Sequence, residues 1–153
     1  MELQDEILIP APRETVYAAL NDTEILQACI PGCEELVRNS DTELEAKVVL
    51  KIGPVKARFG GNVTLDQTDA PEAFSLTGEG QGGVAGFARG GADVTLEDRG
   101  DETLLTYTAT AEVGGKLAQL GSRLILSTSR KLAGKFFTAL ANELQPEDIA
   151  PAE

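Results

Sequence analysis

Three glycines, Gly78, Gly80 and Gly83, stand at the G-x-G-x-x-G spacing that in dinucleotide-binding proteins lets a backbone turn cradle a pyrophosphate. That chemistry needs a strand running into a helix whose N-terminus faces the phosphates. Downstream, Gly86 to Leu96 read as another strand, so nucleotide binding is set aside. Glycine weakens a strand, so its density from Gly78 to Gly91 predicts a sharp bend with bulges, or the close approach of a ligand or a terminal helix to the backbone. Cys29 and Cys33 bracket Ile30, Pro31 and Gly32. Two thiols at that spacing lack the further ligands of a zinc site and are too few for a disulfide framework, so free thiols are expected. The chain has no histidine, which leaves acid–base work near neutral pH to a carboxylate or lysine with a displaced pKa. No serine or cysteine has a visible base partner. Neither a catalytic residue nor a metal site is assigned. Tyr107 is the one polar side chain whose strand phase points inward, where its hydroxyl can orient a ligand carbonyl or reach a neighbouring backbone group.

The elements that position these residues follow from periodicity. Leu3, Ile7 and Ile9 alternate with polar neighbours in an opening strand that stops at Pro10. Pro12 suits the start of a helix with Val16, Tyr17 and Leu20 on its buried side, and Asp22 can cap a second short helix that Pro31 and Gly32 end. From Glu35 onward the period is two. Leu44, Ala46, Val48, Leu50 and Ile52 share one face of a strand, Val55, Ala57, Phe59, Val63 and Leu65 that of the next, and Phe74 and Leu76 begin another. Ala92, Val94 and Leu96, then Leu105, Tyr107, Ala109, Ala111 and Val113, complete seven strands. These are consecutive and hairpin-linked, so an antiparallel meander is expected. From Gly114 to Leu144 the period changes again: Leu117, Leu120, Leu124, Thr128, Lys131 or Leu132, Phe136, Leu140 and Leu144 recur at three and four, and the apolar ones among them form one stripe, which predicts one long amphipathic helix. Such a helix laid across a curved sheet encloses a cavity.

At 153 residues the chain has the length of one domain, expected over residues 1–144, with an acidic tail over 145–153 expected to be disordered. A formal charge of -12 argues against nucleic acid and against direct electrostatic docking on anionic lipid. No apolar run is long enough to span a bilayer and the first residues are acidic, so a cytoplasmic protein is expected.

Five runs carry a family resemblance: Ile9-Pro10-Ala11-Pro12-Arg13-Glu14, Cys29-Ile30-Pro31-Gly32-Cys33-Glu34, Gly53-Pro54-Val55-Lys56-Ala57-Arg58-Phe59, Gly86-Phe87-Ala88-Arg89-Gly90-Gly91-Ala92 and Gly114-Gly115-Lys116-Leu117-Ala118-Gln119-Leu120-Gly121-Ser122-Arg123. In that order they resemble the carbon monoxide dehydrogenase G-subunit family, within the START-like helix-grip (SRPBCC) superfamily. The resemblance implies an α+β fold with a seven-stranded curved antiparallel sheet, two short helices after the first strand and a long C-terminal helix across the sheet. It also implies a non-catalytic accessory role to molybdenum hydroxylases of the carbon monoxide dehydrogenase type, with contact at the inner membrane face through such a partner, and a respiratory quinone or other lipid as ligand rather than a resident cofactor. After Leu144 there is no hydrophobic extension, so no direct stable membrane anchor is expected. Phe59, Phe74, Phe87, Tyr107, Leu117, Leu120 and Leu124 are the expected lining of the ligand cavity, with Gly121 leaving space against the sheet. An assembly factor with a filled core, acting through its surface, stays open beside the carrier, as does a cyclase- or hydrolase-type enzyme.

Overall fold

The computed structural model describes residues 1–145; the expected tail, beyond Gln145, lies outside the described residues. Strand β1 (Glu2–Ile9) leads into α1 (Arg13–Leu20) and α2 (Thr23–Cys29), followed by β2 (Cys33–Arg38), β3 (Glu43–Ile52), β4 (Val55–Asp66), β5 (Ala73–Gln81), β6 (Phe87–Arg99) and β7 (Glu102–Gly114). Short α3 (Lys116–Gln119) and long α4 (Ser122–Glu143) close the described chain. All seven strands form one antiparallel sheet in the order β1-β7-β6-β5-β4-β3-β2. The meander is continuous from β2 to β7, and β7 closes back against β1.

Local chemistry explains the boundaries. The Asp22 side chain accepts from the backbone N–H groups of Glu24 and Ile25 at 2.9 and 3.3 Å, satisfying two free donors at the start of α2. Extended Pro12 immediately precedes α1. Where one helix was expected from Gly114 onward, the chain makes two: α3 ends at Gln119, and Gly121, at φ 91°, turns the backbone before α4 begins. A side chain is disfavoured in that left-handed region, so the break sits at a glycine.

Two apolar cores lie on the inner face of the sheet. The larger joins Ile9, Val16, Cys29, Leu96, Leu105 and Leu140, so α1, α2 and the C-terminal half of α4 pack together over β1, β6 and β7. The smaller joins Ile52, Phe59, Ala85, Leu117 and Ile125 at the opposite end. Thr103 is the buried polar residue of the first core, at 0 % exposure, and its hydroxyl donates to the Ala11 carbonyl at 2.7 Å. That bond ties the β1–α1 corner to β7. Thr103→Val keeps the shape but orphans a buried carbonyl, so urea unfolding should show about 1–2 kcal/mol lost; an unchanged midpoint would mean that the corner is held by packing alone.

The glycine-rich strands carry no bulge. Registers β4–β5 and β5–β6 run unbroken, and the irregular pairing of the sheet is at Cys33 and Glu35 between β2 and β3. Crowding of backbone on backbone is the cause: a Cβ on Gly61 would run into the Glu79 carbonyl, and one on Gly90 into the Thr110 carbonyl. Adjacent strands, rather than the terminal helix, demand glycine at these positions.

Candidate functional site: an apolar cavity beneath the long helix

Side chains alternate across a strand, so a row of paired inward positions forms one strip of the inner face. Ala46, Gly61, Gly80, Ala88 and Val113 make one such row across β3 to β7, and Leu44, Val63, Gly78, Gly90 and Ala111 make the next. Glycine and alanine dominate both. Helix α4 crosses above without filling the space their missing side chains leave, and a cavity of about 360 Å³ results. Ile125, Thr128, Ser129 and Leu132 form its roof, and Ile52, Phe59 and Leu117 close one end. Ser129 is satisfied within the helix, donating to the Ile125 carbonyl at 2.8 Å. Met1, 40 % exposed, stands at the margin.

A larger recess of about 830 Å³ lies on the other face of the same strands, bordered by Glu43, Glu45, Asn62, Thr64, Thr77, Glu79 and Arg89. Its polar, charged walls suit solvent better than an apolar guest. Asn62, Glu79 and Arg89 border both spaces because, with glycine at 78, 80 and 90, bare backbone separates them.

Of the lining residues expected from sequence, Phe59 and Leu117 reach the cavity, at 7 and 2 % exposure. Leu120 and Leu124 pack on the smaller core behind its wall, with Leu124 over the Gly53 turn, and Gly121 is the joint between α3 and α4. Phe74 meets Tyr17 edge to face at 5.7 Å in the larger core. Tyr107 stacks on Phe137 at 5.3 Å in that core. The Phe87 ring covers Gly114, with the Arg89 guanidinium 5.5 Å from its centroid and Arg89 Nε donating to Glu112 at 2.6 Å. The expected lining left out the small residues of the floor and the roof residue Ile125, and it left Thr128 and Leu132 in the helix stripe without placing them at the cavity. The signal was there: glycine and alanine at inward-phase positions of consecutive strands.

The chemistry open to this cavity is apolar enclosure. Inward-phase positions of its floor carry no ionisable side chain, and among the described residues no cluster of Cys, Asp or Glu is placed to hold a metal ion. Burial pushes the Cys29 thiol above its ordinary range, with Glu143 adding to the effect. Burial raises Cys33 as well, with a hydrogen bond at the Glu35 backbone opposing. Thiols so shifted are weak nucleophiles near neutral pH.

Among solved structures, a conserved protein from Geobacillus kaustophilus is 29 % identical, with a TM-score of 0.87 over 94 % of both chains. A START superfamily protein from Mycobacterium smegmatis, 16 % identical, superposes at a TM-score of 0.68 over 94 % of this chain and 96 % of that one. The Zhui aromatase/cyclase from Streptomyces sp. R1128, 12 % identical, does so at 0.65 over 94 and 92 %. The last two show the fold alone, which is START-like. A search among curated proteins finds no significant match. The family profile of the carbon monoxide dehydrogenase G-subunit (CoxG) matches residues 6–145, nearly all of the described chain. With that coverage, the chain belongs to the CoxG family.

Proposed function

We propose that this protein is a non-catalytic carrier that encloses a hydrophobic, ring-bearing molecule, a respiratory quinone or other lipid, on behalf of a molybdenum hydroxylase of the carbon monoxide dehydrogenase type. The observation that carries the reading is the unfilled cavity of about 360 Å³ between the glycine–alanine floor and α4. Apolar burial supplies the affinity. About fifteen buried carbons at about 0.8 kcal/mol each give about 12 kcal/mol. Loss of about 4 kcal/mol or more of translational and rotational freedom leaves micromolar binding or weaker. A non-catalytic reading rests on the raised thiols and on inward-phase floor positions that carry no acid or base, Glu79 and Arg89 bordering the space only from outward-phase positions. Native mass spectrometry of gently purified protein should show a co-purifying lipid, and a short-chain quinone should displace an apolar fluorescent probe. Protein with neither a bound lipid nor probe uptake would point to the surface-acting assembly factor.

Cargo of this kind comes from a membrane, and the charge distribution supports reversible contact there. No acid lies between Val113 and Asn142, whereas Lys116, Arg123, Arg130, Lys131 and Lys135 do. The ion pairs among described residues use Arg13, Lys47, Arg58, Arg89 and Arg99. Lys51, Lys56, Lys116 and Arg123 are therefore unpaired there, at the end of the molecule where the β3–β4 turn meets α3 and α4. Val84, 85 % exposed, protrudes from the Gly83–Ala85 turn at the same end. Charges interact over a Debye length of about 8 Å at physiological salt, so a local basic end can act despite a net charge of -12. No described helix is long and apolar enough to cross a membrane. Vesicles containing about one-third anionic lipid should sediment the protein at low salt and release it at about 0.5 M salt. The triple variant Lys51→Glu, Lys56→Glu, Lys116→Glu should not sediment; equal sedimentation would place the contact elsewhere.

A further inference from the structure

A second recess lies outside the cargo cavity, between edge strand β1 and the C-terminal half of α4. Paired residues of antiparallel strands share a face. Leu3 pairs with Ala109, Asp5 with Tyr107 and Ile7 with Leu105, so Tyr107 is not the one inward polar side chain that the sequence phase suggests: Thr103 shares its face, and the Asp5 carboxylate interrupts the apolar inner face of β1 beside it. On the opposing wall, Arg130, Gly134, Thr138 and Asn142 follow one another at four-residue spacing along one flank of α4. Together with Phe137, these two walls border a solvent-open recess of about 430 Å³.

Three features show that the recess is not simply a gap. Tyr107 is only 9 % exposed, yet its hydroxyl is not among the sealed, partnerless atoms, so its oxygen opens onto this space. No hydrogen bond contributes to its raised pKa, which burial causes first, Asp5 second, with Arg130 opposing. Its hydroxyl therefore has no protein partner and is free to bond a molecule in the recess. Asp5 and Arg130 both face it, and no ion pair joins them. A negative wall and a positive wall thus stand apart across an unpartnered hydroxyl. The third feature is Gly134, an exposed position of α4 that adds no side chain to this wall and where an added Cβ would meet nothing within 4 Å.

We propose that this recess binds a small zwitterion of the α-amino-acid type with an apolar side chain. The ligand carboxylate takes the Arg130 guanidinium fork and the Tyr107 O–H, both of which donate. Its ammonium donates to Asp5. The side chain rests on Leu3, Ile7 and Phe137 and fills the space beside Gly134. A plain carboxylate would be repelled by Asp5, and a plain amine by Arg130. The site is independent of the cargo cavity, so either can fail alone.

The test uses the full chain, amide NMR and three probes of one shape: L-leucine, 4-methylpentanoate, which lacks the amine, and 3-methylbutylamine, which lacks the carboxylate. Leucine should move the amides of Asp5, Tyr107, Arg130 and Gly134 and saturate, with each analogue at least about tenfold weaker. Asp5→Asn and Arg130→Gln, both at exposed side chains, should each weaken leucine about tenfold, and Asp5→Asn should also erase the preference for leucine over 4-methylpentanoate. Tyr107→Phe should weaken leucine about threefold. Absence of leucine-dependent shifts, equal binding of the three probes, or binding indifferent to Asp5→Asn and Arg130→Gln would each overturn the assignment. The double variant Gly80→Leu, Ala88→Leu, with side chains added only on the floor of the other cavity, should bind leucine unchanged.

Discussion

Gly80→Leu combined with Ala88→Leu should abolish uptake of the apolar ligand while leaving the protein at least as stable as the parent. The two residues are register partners in the middle of the cavity floor, so their new side chains rise together into the space beneath α4. Gly80 tolerates the change. Its backbone is not among the positive-φ glycines, and an added Cβ would find only the Gly60 carbonyl at 3.8 Å and Phe59 Cβ at 3.9 Å, which is ordinary contact. Removing a strand glycine reduces the entropy of the unfolded chain by about 0.5–1 kcal/mol. Burying a leucine side chain in an apolar space adds about 1.5–3 kcal/mol. A filled carrier is therefore expected to be more stable and empty-handed, a pairing typical of sites that evolution keeps hollow. Gly61 and Gly90 serve as controls in the opposite sense, because a Cβ there would run into the Glu79 and Thr110 carbonyls and the sheet would have to part. The measurement is a thermal melt beside probe displacement by a short-chain quinone. Retained uptake in the double variant would exclude this cavity as the cargo site, and a melting temperature lowered by more than about 5 °C would show that the space was already occupied by protein.

The strands and the first two helices were legible because their signals are local. Alternation along β3 and β4 assigns each residue to a face without reference to anything distant, and Asp22 caps α2 through atoms two and three residues away. The break before α4 was hidden. Leu117, Leu120 and Leu124 keep helical spacing straight across it and pack on the same small core, so periodicity saw one helix where Gly121 makes two. The site was harder to read for a different reason. Large apolar residues attract attention as cavity walls because they carry area, but Phe74 and Tyr107 lie at the end of the sheet that α1, α2 and α4 fill. Which end stays hollow depends on where the helices land, and that is a tertiary fact. The sequence does register the hollow as an omission: Gly61, Gly78, Gly80, Ala88, Gly90 and Ala111 all fall in inward phase. Phe59 shares its strand parity with the same small residues, and it does reach the cavity.

Leu140→Ala and Leu132→Ala, two truncations on one helix two turns apart, should differ severalfold in their effect on stability. Leu140 has 0 % exposure and packs in the larger core among Ile9, Val16, Leu96 and Leu105. Its truncation removes a transfer contribution and leaves a void among neighbours that are themselves fixed by the sheet, so about 3–4 kcal/mol should be lost in urea unfolding. Leu132 presents part of its side chain to the cavity, where no atoms oppose it. Fewer contacts disappear and the existing space merely enlarges, so about 1 kcal/mol or less is expected. Ligand affinity should follow the reverse order. Leu132→Ala strips the roof above the cargo and should weaken uptake about tenfold, the equivalent of about two buried methylenes, whereas Leu140→Ala, remote from the floor, should leave affinity nearly unchanged at temperatures where the variant stays folded. Equal stability losses at the two positions would mean that side chains close the space beneath α4 in solution, and the carrier reading would then give way to a protein that acts through its surface.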